Sequence, residues 1–123
     1  MSTMKISFVI PAYNEEKHIV LCLQSIQAEI DRVGELVETE MIVVNNASTD
    51  RTKELVVESG LARVVDETRK GLVFARSAGF TSSTGELIAN IDADTRMPEG
   101  WLSTVIDSFQ DPELMSLSGP YIY

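Results

Sequence analysis

The sequence predicts an α/β sandwich on a mainly parallel sheet. Short apolar, β-branched runs alternate with longer stretches of helical spacing along the chain, the pattern of a parallel sheet covered by helices. Polar and acidic groups gather just after each of the first four runs, where such sheets bind ligands. The 123 residues fit one domain with one core, and no repeat, low-complexity tract or linker divides residues 1–123.

Ile6 to Ile10 is the first strand-like run, punctuated by Pro11. Ile19, Leu23, Ile26 and Ile30 then recur at helical spacing. Met41 to Val44 is a second buried run. Ser48, Thr49 and Asp50 form a helix N-cap cluster, with Ser48 or Thr49 read as the cap. Leu55 and Val56 continue that helix to about Gly60. Ala62 to Val65 is the third run. Leu72 to Phe80 reads as a helix whose small residues Ala75, Ala78 and Gly79 suit close packing on a sheet. Leu87 to Ile91 is the fourth strand and Leu114 to Leu117 a candidate fifth. Between them Pro98 takes a first helical position, ahead of an apolar stripe of Trp101, Leu102, Val105, Ile106 and Phe109.

Composition excludes several classes. A net charge of -9 argues against a nucleic-acid partner, which calls for a basic surface. The single cysteine, Cys22, permits no internal disulfide and reads as a small buried apolar residue of a helix. The N-terminus lacks the features of a signal peptide and no stretch is long enough to cross a bilayer, so a cytoplasmic location is expected. A membrane segment elsewhere in a longer form stays compatible with that. Walker A and G-x-G-x-x-G loops are absent, as is a zinc-type cluster. His18, the only histidine, reads as a solvated helix residue.

Four stretches carry candidate chemistry. Asp92 and Asp94 stand at i and i+2 after the fourth run. On an extended segment their carboxylates point the same way and can share one hard divalent cation, which would neutralise a diphosphate leaving group. The plainer reading is a loop of solvated acids or a helix cap before Pro98. Asn45 and Asn46 can donate and accept, and so can read a base or ribose edge. Tyr13, directly after the first run, either stacks on a planar base or is a partly buried core aromatic. Glu15 and Glu16 also suit the start of a helix dipole. Arg69, Lys70 and Arg76 are among only ten basic residues and fit phosphates bridging to the acids, or ordinary surface ion pairs.

Taken in order, these stretches resemble the family 2 glycosyltransferases. The matching segments are Pro11-Ala12-Tyr13-Asn14-Glu15-Glu16, Val44 to Thr52, Lys70 to Gly79, and Thr84-Gly85-Glu86-Leu87-Ile88 leading into Asp92-Ala93-Asp94. The resemblance covers essentially the whole chain. It implies a Rossmann-like GT-A α/β/α sandwich and transfer of a sugar from a nucleotide-diphosphate sugar, with inversion, to an unidentified saccharide, lipid or protein acceptor. By the same resemblance Tyr13 would pack on the base, Glu15 would border the nucleotide pocket, and Asn46 would take the position of an acid that usually contacts the base, with Pro11 and Asn45 in the same donor-binding set. Arg76 would lie near the diphosphate, and Asp92 and Asp94 at the donor, with Asp94 the direct ligand of Mg2+ or Mn2+.

Asn45-Asn46 stand where the family has an acid pair, and Ser77 where it often has Asn. Family members also continue further, into an acceptor-binding half that supplies an acidic general base. The expectation is therefore a donor site alone, with no catalytic base up to residue 123 and an open sheet edge that leaves room for self-association. Two rival readings stand beside it. One is a nucleotide-sugar-binding module or remnant without turnover. The other is a phosphotransfer enzyme of the haloacid dehalogenase type, with Asp92 as nucleophile.

Overall fold

A computed structural model describes residues 4–110, with side chains through residue 108; the candidate fifth run and the Phe109 side chain lie outside the described residues. The elements are β1 (Lys5–Ala12), α1 (Ile19–Val33), a 3-10 turn (Gly34–Leu36), β2 (Glu38–Asn45), α2 (Thr52–Ser59), β3 (Arg63–Asp66), α3 (Leu72–Ser82), β4 (Leu87–Asn90) and α4 (Trp101–Gln110). The strand order is β3-β2-β1-β4, and all three pairings are parallel. The α/β fold read from the sequence is the fold observed. The chain steps outward from β1 through β2 to β3 and then returns to the other side of β1. The crevice between β1 and β4 is thus the topological switch point.

Alternation along the strands sorts the core into two layers. Ile6, Phe8, Ile10 and Ala12 of β1, with Met41 and Val43 of β2, pack with Ile19, Leu23 and Ile26 of α1, Val56 of α2 and Leu102 and Ile106 of α4. Val9, Ile42 and Val44 face the opposite way onto Ala75 of α3. The helix on that face sits unusually close. A Cβ added at Gly79 would overlap Val9 Cγ1 and come within 3.2 Å of Val44 Cγ2. Among the described residues no helix is long and apolar enough to cross a membrane.

Three local expectations change. The first strand runs through Pro11 instead of stopping at it. The carbonyl of Ala12 faces β2, accepting from Asn46 N–H, while that of Val9 faces β4, accepting from Ile91 N–H. By alternation the nitrogen of Pro11 points to the β4 side, beyond the end of that strand, so its missing N–H breaks no ladder bond. Next, α4 begins at Trp101 and Pro98 sits in the turn before it. The open amides there are met from α1, where the buried Glu29 carboxylate accepts from Gly100 N–H at 3.2 Å and Leu102 N–H at 3.0 Å. Finally, neither Ser48 nor Thr49 caps α2. Asp50 Oδ1 accepts the Thr52 amide at 2.9 Å and does that work.

At the other end of the sheet, Glu40 gathers the Ser7 hydroxyl (2.6 Å), the Thr84 amide (2.7 Å) and hydroxyl (3.0 Å), and Arg63 (3.2 Å). Burial alone would push its carboxyl up, but these hydrogen bonds outweigh it and pull the pKa from 4.5 down to about 2. A depressed folded pKa means stability that is present above the unfolded value and lost as pH falls through the folded one. We expect about 3 kcal/mol to disappear between about pH 4.5 and about pH 2. Urea midpoints across that range should fall less steeply in Glu40→Gln than in the wild type; parallel profiles would remove this role.

Candidate functional site

The loops after β1 and β2 are stitched to each other by reciprocal hydrogen bonds. Asn14 N–H donates to Ser48 Oγ (3.0 Å), Glu15 N–H to Thr52 Oγ1 (2.9 Å) and Glu16 N–H to Asp50 Oδ2 (3.2 Å). In return Thr49 N–H donates to Asn14 Oδ1 (2.8 Å) and Arg51 N–H to Glu16 Oε2 (3.2 Å). Asn14 and Ala47 take positive φ, 52° and 61°. The left-handed region suits Asn, whereas for Ala47 it costs about 1 kcal/mol. At Asp50, burial acts to raise the carboxyl pKa, but hydrogen bonds from Thr52 and the Glu16 amide hold it below the usual range.

Beside this stitched pair, on the α3 face, opens a cavity of about 380 Å³. Its floor is Pro11, Ala12 and Asn46, and its far wall is Gly71, Leu72 and Ala75 at the start of α3. Tyr13 stands at the rim, 46% exposed, which answers the core-aromatic reading: much of its surface is free. The Lys70 ammonium lies 5.4 Å from the Tyr13 ring centroid. The lining is mostly apolar with a few polar groups, as in sites for planar organic ligands.

The loop after β1 and the turn after β4 bring together an acidic group. Asp92 and Asp94 are exposed on either side of the buried Ala93. The segment is not extended as expected from the sequence. It is a turn, with Thr95 N–H donating to Asp92 O at 2.9 Å. Glu15 faces this turn, and one of its carboxylate oxygens, Oε2, is buried without a hydrogen-bond partner among the described residues. Burial raises its pKa first, then the negative charge of Asp94, against an opposing pull from His18, with Asp50 and Asp92 adding to the rise. These all-oxygen donors lack positive charge and fit a hard divalent cation. Among the described residues no three His, Cys, Asp or Glu converge on one ion. Cys22 lies beneath, its thiol 3.6 Å from Asp92 O and pushed up to about 11 chiefly by burial. It is a buried thiol, as the sequence indicated.

Of the residues singled out from sequence, Pro11, Tyr13 and Asn46 meet in the cavity, and Glu15, Asp92 and Asp94 in the acidic group. Asn45 turns elsewhere. It donates to Asp66 at 3.0 Å in a second cavity of about 310 Å³, where Lys53 also pairs with Asp66. Arg76 does not line the first cavity, and its Nε is buried without a partner among the described residues. Gly71, Leu72 and Ala75 were seen in sequence only as helix and motif positions. Lys70 was noticed in a basic cluster and as the start of a matching segment, and its placement over Tyr13 depends on a fold that brings residues 13 and 70 together.

Comparisons with known proteins agree with this architecture. A dolichol-phosphate mannosyltransferase of Pyrococcus furiosus is 28% identical over 123 residues, 97% of this chain and 34% of that protein. A mannosyltransferase from Pyrobaculum calidifontis, solved in complex with GDP-Man and Mn2+, superimposes with a TM-score of 0.76 at 29% identity, over 90% of this chain and 34% of that one. Glucosyl-3-phosphoglycerate synthase from Mycobacterium tuberculosis, solved with Mn2+, UDP and glucosyl-3-phosphoglycerate, gives 0.67 at 28% identity, over 86% and 39%. The chain spans about a third of the length of the curated relatives it matches. These neighbours make the fold GT-A, and the phosphotransfer reading with Asp92 as nucleophile falls with it. The match to Glycosyl transferase family 2 runs over residues 7–123, and with a parallel α/β sheet beneath it, the chain belongs to that family.

Proposed function

We propose that this chain carries the donor site of a sugar transferase, binding a nucleotide-diphosphate sugar together with Mg2+ or Mn2+. The observation that carries the reading is the pairing, at the carboxyl edge of one sheet, of an apolar cavity rimmed by Tyr13 with the acidic turn of Asp92 and Asp94. The nucleoside fits the first and the diphosphate the second. Structural neighbours of the same fold were solved with GDP-Man or UDP and Mn2+, which supports ligands of this class.

In the proposed reaction an acceptor hydroxyl oxygen bonds to the sugar's anomeric carbon as its bond to the diphosphate oxygen breaks. The configuration inverts in this single displacement. The hydroxyl proton passes to a carboxylate base, and the bonding pair leaves with the nucleoside diphosphate. The bound cation would stabilise the charge on that leaving group. Asp92 and Asp94 would hold the cation, Tyr13 would stack on the base, and Glu15 would border the nucleotide. The base and the acceptor contacts are assigned to sequence beyond that spanned here. Binding without turnover is the second reading, favoured by Asn45 and Asn46, which bring no charge to the positions of an acid pair.

Calorimetric titration with UDP- and GDP-sugars, each with Mn2+ and again with chelator, tests the proposal. Binding that needs the metal supports it, and a folded protein that binds neither donor rejects it. Tyr13→Ala should weaken nucleotide binding about tenfold, the loss of one base–aromatic stack, without altering the metal requirement. An unchanged affinity would take Tyr13 out of the site.

A further inference from the structure

The side chain of Asn46 is 6% exposed and surrounded by the backbone of the loop between β3 and α3. Its Nδ2 donates to Glu67 O at 3.0 Å and to Arg69 O at 2.8 Å, and its Oδ1 accepts Gly71 N–H at 3.0 Å. Two carbonyls and one amide N–H fix the orientation of the side-chain amide without ambiguity. Both of its N–H donors are therefore spent inside the protein, and none remains for a ligand.

The Arg69 carbonyl belongs to the peptide before Lys70, and the Gly71 amide to the peptide after it. One side chain thus holds both peptide groups of Lys70. Gly71 sits at φ 133°, a conformation other residues rarely adopt, which sharpens the turn. Glu67 braces the same loop, accepting from Arg69 N–H at 3.0 Å and from its guanidinium at 2.8 Å, and that guanidinium lies 4.6 Å from the Phe74 ring centroid. Lys70 has no ion-pair partner among the described residues. Its ammonium is carried out over the Tyr13 ring at the cavity mouth.

We propose that Asn46 is a positioning residue that sets Lys70 over the cavity, and that the Lys70 ammonium is a binding cation for the nucleoside diphosphate. This rests on the donor-site reading above. The chemistry at position 46 demands an amide. A carboxylate there still accepts from Gly71, but it turns lone pairs toward the Glu67 and Arg69 carbonyls and loses both donated bonds. Restoring an acid at this position therefore loosens the site instead of adding a base contact.

The test uses Asn46→Asp, Lys70→Ala and the double variant. Each is titrated with UDP and with GDP in the presence of Mn2+, and amide exchange at Gly71 is followed without ligand. Gly71 exchange should rise about tenfold in Asn46→Asp, because losing both bonds to the Glu67 and Arg69 carbonyls lets the loop open more often even though Asp can still accept from Gly71, and unchanged exchange overturns the loop assignment. Each single variant should lose about tenfold in nucleotide affinity, and the double no more than either, because both remove one contribution. A hundredfold loss in the double, or full affinity in Asn46→Asp despite a loosened loop, overturns the link to Lys70. Tighter binding by Asn46→Asp overturns it differently, by showing that position 46 touches the base. If the wild type binds neither nucleotide, the donor-site reading fails together with the Lys70 assignment, and Gly71 exchange still decides the loop assignment.

Discussion

Asp94→Ala is expected to abolish metal-dependent nucleotide binding while leaving the fold intact or slightly more stable. Loss of outer-shell support around a metal typically costs ten- to a hundredfold, so loss of the direct ligand proposed at Asp94 should cost about a hundredfold or more. The two readouts separate function from folding. Asp94 is the largest charge acting to raise the Glu15 pKa, so its removal relieves a repulsion within the acidic group. The Glu15 carboxyl should then titrate closer to its ordinary value, which side-chain carboxyl NMR can follow. Calorimetry with Mn2+ should match the wild type treated with chelator. A variant that binds as tightly as the wild type would return the Asp92–Asp94 turn to the reading of solvated loop acids.

The largest stability effect is expected at Gly79. The new Cβ of Gly79→Ala would overlap Val9 Cγ1, and Val9 is fully buried in β1 with β2 and β4 on either side. Neither the strand nor the helix can retreat without opening the second core layer. Overpacking of this kind costs about 1 to 3 kcal/mol, and the upper end applies because the obstacle is a stiff β-branched side chain. A gain of about 1 kcal/mol in helix propensity offsets part of it. Chemical denaturation should show a net loss of about 2 kcal/mol. Val9→Ala removes the obstructing methyls, so the double variant should be less destabilised than the sum of the singles. Strict additivity would mean that α3 is not held against the sheet at this point.

The alternation of elements was legible in the sequence because each strand and helix carries its own period. The order of the strands in the sheet was not legible, because pairing joins segments distant in the chain. Contacts between distant residues were not legible. Glu29 lies at a position of α1 that periodicity would assign to an apolar residue, and its partners are amides more than seventy positions away. Glu40 is one of many acids until Ser7, Arg63 and Thr84 converge on it. The motif residues fall on the loops that border the cavity and the acidic turn, but the directions of their side chains were not legible. Asn45 and Asn46 are adjacent and chemically identical, yet strand alternation sends one to Asp66 and buries the other against the loop that carries Lys70. Arg76 lies on the helix that walls the cavity without reaching the lining, because the helix turn places Ala75 there instead.

The stitching between the first two loops has a thermodynamic consequence. Residues 14 to 16 and 48 to 52 hold each other through five cross-loop amide bonds, so much of the ordering that Tyr13's surroundings require was completed when the chain folded. Ordering a free loop on association would cost about 1 kcal/mol or more for each residue immobilised. On the Tyr13 side a ligand meets a surface already set, and entry there should carry little entropic penalty and proceed without a slow rearrangement.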